Sequence, residues 1–312
     1  MCGIAGVIHK GSSSGIGNEM TSMLQAMKHR GPDSTGFALY GSPRKGSRYV
    51  MRLKVAEGSE AKRGFEIQDL MRKRIEKVNQ RLEELDAAAK NITQDTEYAC
   101  RYELTYKGSL RELANYIEDV DGVEILSIGS GLELIKDLGD ANQVSGTYSI
   151  SQFTGTHAIG HTRMATESDV DIRSAHPYWA YPFSDVSVVH NGQLTNYWSK
   201  RRELERKGHR FMSDCDSELI AVYIADAIEN GKSLEKSMNQ SLSELDGVFT
   251  YLIATSDQLG MAKDTMAAKP MVLFEDDKIV VLASEEVAIR TIFPGEIETS
   301  DPYEGEVRVW QT

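Results

Sequence analysis

Apolar and polar positions in the first forty residues predict two strands with an amphipathic helix between them. CGIAGVI, at 2–8, is a continuous apolar run typical of a buried strand. In NEMTSMLQAMKH, the i, i+3, i+4, i+7 positions of one helix face are occupied by Met20, Met23, Leu24 and Met27. Gly31 and Pro32 end this helix, and FALY begins the second strand.

The pattern changes after about residue 41. Residues 57–91 are highly charged with helical period, and Met71, Ile75, Val78, Leu82 and Leu85 form a narrow apolar seam. This seam fits either a helix packed on its own domain or a partner-binding helix. YACRYELTY, SLRELANYIED, GVEILSIGS and GLELIKDLG then predict strand, helix, strand and helix. We therefore predict an inserted subdomain at about 45–150, whose helices are a candidate docking surface.

The C-terminal half predicts strands and helices in separate runs. THAIGHTR and VSVVHNG are strand-like, whereas DSELIAVYIADAIENG is helical and starts at Asp216. Two apolar segments with turn residues, at 247–264 and 270–285, predict antiparallel hairpins, and GEVRVWQ supplies a last strand. Segregated runs of this kind favour an α+β fold in which helices cover antiparallel sheets.

Composition indicates which kinds of partner the protein can bind and in which cellular compartment it is found. The 312 residues carry a formal net charge of −12, which argues against nucleic acid as a ligand. Cys2, Cys100 and Cys215 are too widely spaced for a disulfide framework or a C-x-x-C site, so a reducing compartment is expected. No stretch approaches the ~20 apolar residues of a membrane span. We predict a cytoplasmic protein that does not contact a membrane.

Cys2 directly follows the initiator methionine. If Met1 is removed, the α-amino group of Cys2, with an ordinary pKa of about 7.7 to 8.0, can act as general base for its own thiol. A start of Met-Cys taken alone is weak evidence, because most proteins that begin in this way carry a structural or accidental thiol.

Four further segments follow Cys2 in a characteristic order. They are HRGPDSTG at 29–36, GHTRMATES at 160–168, HNGQLTN at 190–196 and SDCDSE at 213–218. In this order the chain resembles the class II glutamine amidotransferases, N-terminal-nucleophile hydrolases that take ammonia from glutamine. The resemblance implies the four-layer αββα fold of that family, two packed antiparallel sheets flanked by helices, over residues 1–312 with the insertion interrupting it.

The resemblance also assigns roles to the motif residues. Cys2 would attack the side-chain amide of L-glutamine and form a γ-glutamyl thioester, and Asn191 and Gly192 would donate to the oxyanion. The Asn-Gly pair is also a favoured hairpin turn. The substrate-binding residues are predicted to be Arg163 and Thr166 for the carboxylate, Asp216 for the α-ammonium and Arg30 in the pocket wall.

The histidines offer other readings. His157 and His161 have the i, i+4 spacing of a zinc site on a helix, but they fall on a predicted strand, and no metal site is expected. His190 before Asn191 is similar to a Cys-His-Asn protease, a scheme that does not need the other motifs. His29 and His176 are interpreted as structural, and Cys215 as a small buried residue.

The motifs leave the destination of ammonia open, because no acceptor-binding motif is found. Length and insertion resemble the GlxB-type amidotransferase subunits of glutamate synthase-like and N-methylglutamate synthase complexes. This implies a separate synthase subunit in a homo- or hetero-oligomer, with no cofactor in this chain and flavin and iron–sulfur chemistry in the partner chains. A non-catalytic glutamine sensor and another N-terminal-cysteine amidase or acylase remain as alternatives.

Overall fold

A computed structural model describes residues 2–61, 65–164 and 171–312, so Thr166 lies outside the described residues. The strands are β1 Gly3–His9, β2 Ser34–Tyr40, β3 Arg48–Lys54, β4 Ala88–Gln94, β5 Ala99–Thr105, β6 Glu124–Gly129, β7 Leu132–Leu138, β8 His157–Arg163, β9 Tyr178–Trp179, β10 Ser187–Leu194, β11 Gly247–Ala254, β12 Gln258–Lys263, β13 Val272–Glu275, β14 Ile279–Ala283 and β15 Val307–Gln311. The helices are α1 Ile16–Ala26, α2 Gly58–Ala61, α3 Phe65–Glu84, α4 Leu110–Glu118, α5 Ala141–Tyr148, α6 Tyr197–Arg206, α7 Asp216–Glu229, α8 Leu234–Glu244 and α9 Glu286–Ile289.

Two antiparallel sheets pack face to face. The first has the order β13-β14-β1-β8-β2-β7 and the second the order β15-β12-β11-β10-β9. Strand β1 lies at the centre of the first sheet, where Gly3 pairs with Thr162 of β8 and Ala5 pairs with Ala283 of β14. The nucleophile candidate Cys2 therefore stands at the end of a central strand.

Helices cover the outer face of each sheet. Alternate side chains of β1 point to opposite faces: Ile4 and Ile8 join the core between the sheets, whereas Ala5 and Val7 pack with α1 and α5. The outer face of the second sheet packs against α7 and α8. This is the αββα arrangement, and it confirms the predicted α+β class.

The inserted region forms a sheet of its own, with the order β4-β5-β3-β6. The predicted long helix corresponds to α2 and α3, but residues 88–91 belong to β4 rather than to that helix. The separate sheet ends at Gly129, whereas β7 and α5 belong to the main layers. The part that forms its own sheet is therefore shorter than the expected interval of 45–150.

The prediction of a helix for GLELIKDLG was wrong. This segment is β7, which pairs with β2 from Ser34↔Leu138 to Tyr40↔Leu132. Its apolar side chains fit one helical face as well as they fit a strand, but both faces of β7 are buried at the edge of the first sheet. Pairing with β2 satisfies its backbone and decides the structure.

No helix within the described ranges is long and apolar enough to cross a membrane.

Candidate active site

The Cys2 main chain is held from two sides. Its carbonyl oxygen accepts one hydrogen bond from Arg30 Nε at 3.1 Å and another from Asn191 Nδ2, also at 3.1 Å. Arg30 in turn forms an ion pair with Glu285 at 2.5 Å. The half-buried Cys2 thiol lies 3.9 Å from the Met164 carbonyl. The backbone of this candidate nucleophile is therefore fixed, while its side chain faces a pocket.

This pocket has a volume of about 720 Å³. Its lining includes residues that the sequence proposed for catalysis and binding, namely Cys2, Arg163, Asn191, Gly192 and Asp216. Arg30, which was predicted to lie in the pocket wall, donates to the Cys2 carbonyl and to Glu285, so it holds the main chain of the candidate nucleophile. A contact of Arg30 with the substrate stays a prediction.

Asn191 and Gly192 lie on β10, beside the start of β1. Asn191 uses one amide hydrogen for the Cys2 carbonyl, and an amide nitrogen carries a second one. Gly192 has φ +145°, and a Cβ there would lie 2.1 Å from the Val248 carbonyl oxygen. Only glycine fits this backbone and this close approach. The strand is thus shaped so that amide donors can lie near the thiol.

Two glycines of the HRGPDSTG segment allow close backbone contacts at the pocket. A Cβ on Gly31 would lie 2.5 Å from the Arg163 carbonyl carbon, and one on Gly36 would lie 1.9 Å from the His176 carbonyl oxygen. Gly31 therefore lets the chain pass directly beside Arg163, the residue predicted to bind the substrate carboxylate. Gly36 does the same for the His176 segment, which forms another wall of the pocket.

Asp216 is the first residue of α7 and remains charged. Burial raises the pKa of its carboxyl, but the nearby His190 and a hydrogen bond from the Leu194 amide lower it more, so the pKa lies below its usual value. The Leu194 N–H donates to Oδ2 at 2.8 Å, and His190 Nδ1 lies 3.5 Å from Oδ1. The pocket therefore contains a negative charge suited to an ammonium group.

Three buried histidines meet in the same pocket. The His161 and His176 rings lie 4.0 Å apart, and the Ser217 hydroxyl contacts His190 Nδ1 at 2.8 Å and His176 Nε2 at 3.2 Å. Burial lowers the pKa of His161 to about 3 and that of His176 well below its ordinary value. Both imidazoles are therefore neutral near pH 7. Sequence spacing gave no sign of this cluster, because its members come from separate segments.

The remaining histidines and cysteines have different surroundings. His157, which has the i, i+4 spacing to His161, donates from Nε2 to the Thr255 carbonyl at 2.8 Å, whereas the His161 ring lies against that of His176. His29 pairs with Glu285 at 3.0 Å on the surface. Cys215 lines the pocket, and burial raises the pKa of its thiol. Among the described residues, no group of three His, Cys, Asp or Glu side chains is arranged to hold a metal ion.

Comparison with known proteins identifies the family. A protein-family model described as a glutamine amidotransferase domain matches residues 161–291 of the sequence. A Methanothermobacter thermautotrophicus protein, named for the glutamine amidotransferases, is 40% identical over 100% of both chains. This chain is a class II glutamine amidotransferase. The amidotransferase is also 34% identical to the glutamine amidotransferase-like protein GlxB of Rhizobium meliloti, over 91% of this chain and 89% of that one.

Solved structures show the same fold. The phosphoribosylpyrophosphate amidotransferase of B. subtilis superposes with a TM-score of 0.61 at 17% identity. The match covers 99% of the present amidotransferase but only 47% of the B. subtilis chain. The amidotransferase thus spans about half the length of that enzyme and shares the fold of the matched part.

Proposed function

We propose that this amidotransferase is a glutaminase subunit in which Cys2, freed by removal of Met1, is the nucleophile. The α-amine takes the thiol proton, and the sulfur bonds to the carbonyl carbon of the glutamine side chain. The C–N bond then breaks, and ammonia leaves with the proton held by the amine. Water next adds to the γ-glutamyl thioester, the C–S bond breaks, and glutamate and the thiol are released.

One observation carries this proposal: Asn191 is bonded to the Cys2 carbonyl in a pocket that also contains Arg163 and Asp216. The second amide hydrogen of Asn191 and the N–H of Gly192 are the proposed oxyanion donors. Such donors act most strongly when they are fixed before the reaction, and the bond to Cys2 fixes Asn191.

The proposed binding mode of free glutamine rests on two charged side chains. Arg163 is buried at the end of β8 and offers a guanidinium for the α-carboxylate, while the Asp216 carboxylate suits the α-ammonium. A simple acyl amide lacks both charged groups. Thr166 stays a prediction as a further contact to the carboxylate.

We further propose that the ammonia passes to a separate synthase subunit in the cytoplasm, as a glutamate synthase or N-methylglutamate synthase would require. The similarity to GlxB supports this idea. No cofactor is assigned to this chain, and flavin and iron–sulfur groups would belong to the partner chains. The inserted helices stay the predicted docking surface in a homo- or hetero-oligomer.

Intact-mass analysis tests the mechanism. The protein is measured before and after treatment with a glutamine analogue that carries a diazoketone in place of the amide, with Cys2→Ala as control. We expect a mass that lacks Met1 and one label on wild type only. Full glutaminase activity in protein that retains Met1 would refute the proposed base.

Two rate comparisons separate the alternatives. A glutamine sensor would bind glutamine without releasing ammonia, and an acylase would hydrolyse simple acyl amides as fast as glutamine. The proposal predicts ammonia release from glutamine and much slower hydrolysis of the acyl amides.

A further inference from the structure

Residues 172–176 form a wall of the pocket, to which Arg173, Ser174 and His176 contribute. Charged side chains from outside this segment hold its backbone. The Ile172 N–H donates to Glu57 Oε2 at 3.0 Å. Lys136 of β7 donates from Nζ to the carbonyl oxygens of Arg173 at 3.2 Å and Ala175 at 2.8 Å. The wall is therefore positioned by ionic groups.

Glu124, on β6 of the inserted sheet, lies at the centre of these groups. It accepts a hydrogen bond from Arg173 Nε at 3.0 Å and pairs with Lys54 of β3 at 3.3 Å. Lys54 also pairs with Glu57, which holds the Ile172 N–H. The inserted sheet is thus connected to the pocket wall through Arg173 and through Ile172.

Glu124 carries its charge although it is only 5% exposed. Burial raises the pKa of its carboxyl, but the positive charges of Lys54, Lys136 and Arg173 together lower it by more. The pKa therefore lies below its usual value. A buried charge of this kind is tolerated only when its partners stay in place. The geometry of the three cations is therefore tied to this one carboxylate.

Arg173 reaches from this buried group to the pocket. Its Nε is bonded to Glu124, yet its side chain is 53% exposed and the residue lines the same pocket as Arg163. A guanidinium carries donors on more than one edge, so one edge can be held while another faces a ligand. The direction of this second cation depends on Glu124.

We propose that Glu124 is a positioning residue for glutamine binding, through which the inserted sheet orients Arg173 and residues 172–176 around the substrate. The inference rests on the proposed glutaminase function. It assigns to the insertion a role in the pocket itself, in addition to any role in docking a partner. Glu124 does not touch the reacting atoms, so its loss affects binding more than chemistry.

Glu124→Gln tests this inference, with Glu133→Gln as the matched control. Glu133 is also 5% exposed and also neutralises buried cations, accepting from Arg52 and Arg101, but it does not line or contact the pocket wall. We expect Glu124→Gln to raise the KM for glutamine about tenfold or more, because a charge-assisted hydrogen bond is lost, while kcat changes less than about threefold. Glu133→Gln should leave KM unchanged.

A second pair of variants, at Arg173, tests the inference even if Glu124→Gln fails to fold. Arg173 is half exposed, so Arg173→Gln should fold; it should raise KM in the same way, and Arg173→Lys should restore part of the loss. Equal KM effects of Glu124→Gln and Glu133→Gln, or no effect of Arg173→Gln, would overturn the inference. Failure of the glutaminase proposal would show separately, as wild-type protein that the diazoketone analogue does not label.

Discussion

His157 should make the folded protein sensitive to acid. This histidine is fully buried on β8, where it stacks on Tyr40 with ring centroids 4.3 Å apart. Because Nε2 donates to the Thr255 carbonyl, neutral Nδ1 accepts from the Thr156 hydroxyl at 2.9 Å. Burial lowers the pKa of His157 from 6.5 to about 4. The folded chain therefore keeps this ring neutral at pH values where the unfolded chain protonates it.

The size of the effect follows from the two pKa values. Between pH 6.5 and about 4 the unfolded state binds one more proton at this site, so stability falls as the pH drops. Each pH unit inside this window costs about 1.4 kcal/mol. Allowing for the gradual onset near 6.5, His157 should account for a loss of about 2 kcal/mol between pH 7 and pH 5.

Equilibrium urea unfolding of wild type and His157→Gln at both pH values, followed by far-UV circular dichroism, measures this loss. The variant should be less stable than wild type at pH 7, because the Tyr40 stack is altered. It should then lose about 2 kcal/mol less than wild type on going to pH 5. An identical pH dependence in the two proteins would refute the reasoning.

Two further substitutions probe the site. Gly36→Ala places a methyl group 1.9 Å from the His176 carbonyl oxygen, so we expect a stability loss of about 1 to 3 kcal/mol in thermal unfolding and a higher KM for glutamine; unchanged values would show that this contact is not required. Asn191→Ala removes a proposed oxyanion donor and should lower kcat about 10² to 10³-fold in an ammonia-release assay. Iodoacetamide should still alkylate Cys2 in that variant, and a kcat close to wild type would exclude the oxyanion role.

The sequence was most informative where local pattern and chemistry coincide. The apolar runs that became β1, β8 and β10 could be recognised directly. Candidate site residues lie next to or on them: Cys2 precedes β1, Arg163 ends β8 and Asn191 lies within β10. Segment β7 was misread because its apolar spacing fits helix and strand alike. Only pairing with β2, nearly a hundred residues earlier in the chain, distinguishes the two.

Contacts between distant segments could not be predicted. The His161 and His176 rings lie 4.0 Å apart in a tilted arrangement, and Gly36 lets the His176 backbone approach β2; this is a property of the fold and not of either histidine's neighbours in the sequence. Glu124 and Arg173 look like ordinary surface residues in the sequence. They are 49 positions apart, and no periodicity connects them. The sequence predicted Arg30 in the wall of the pocket around Cys2, but its partner, the main-chain carbonyl of Cys2, was not foreseeable.

The two hydrogen bonds to the Cys2 carbonyl come from different layers of the fold. Arg30 follows the helix outside the first sheet, whereas Asn191 belongs to the second sheet, so a change in the spacing of the two sheets would pull directly on the peptide that carries the thiol. Methyl-sized losses between the sheets, for example at Ile4 or Leu252, should therefore disturb the position of Cys2 in addition to lowering the melting temperature. Packing between the two sheets therefore helps to determine where the candidate nucleophile Cys2 lies.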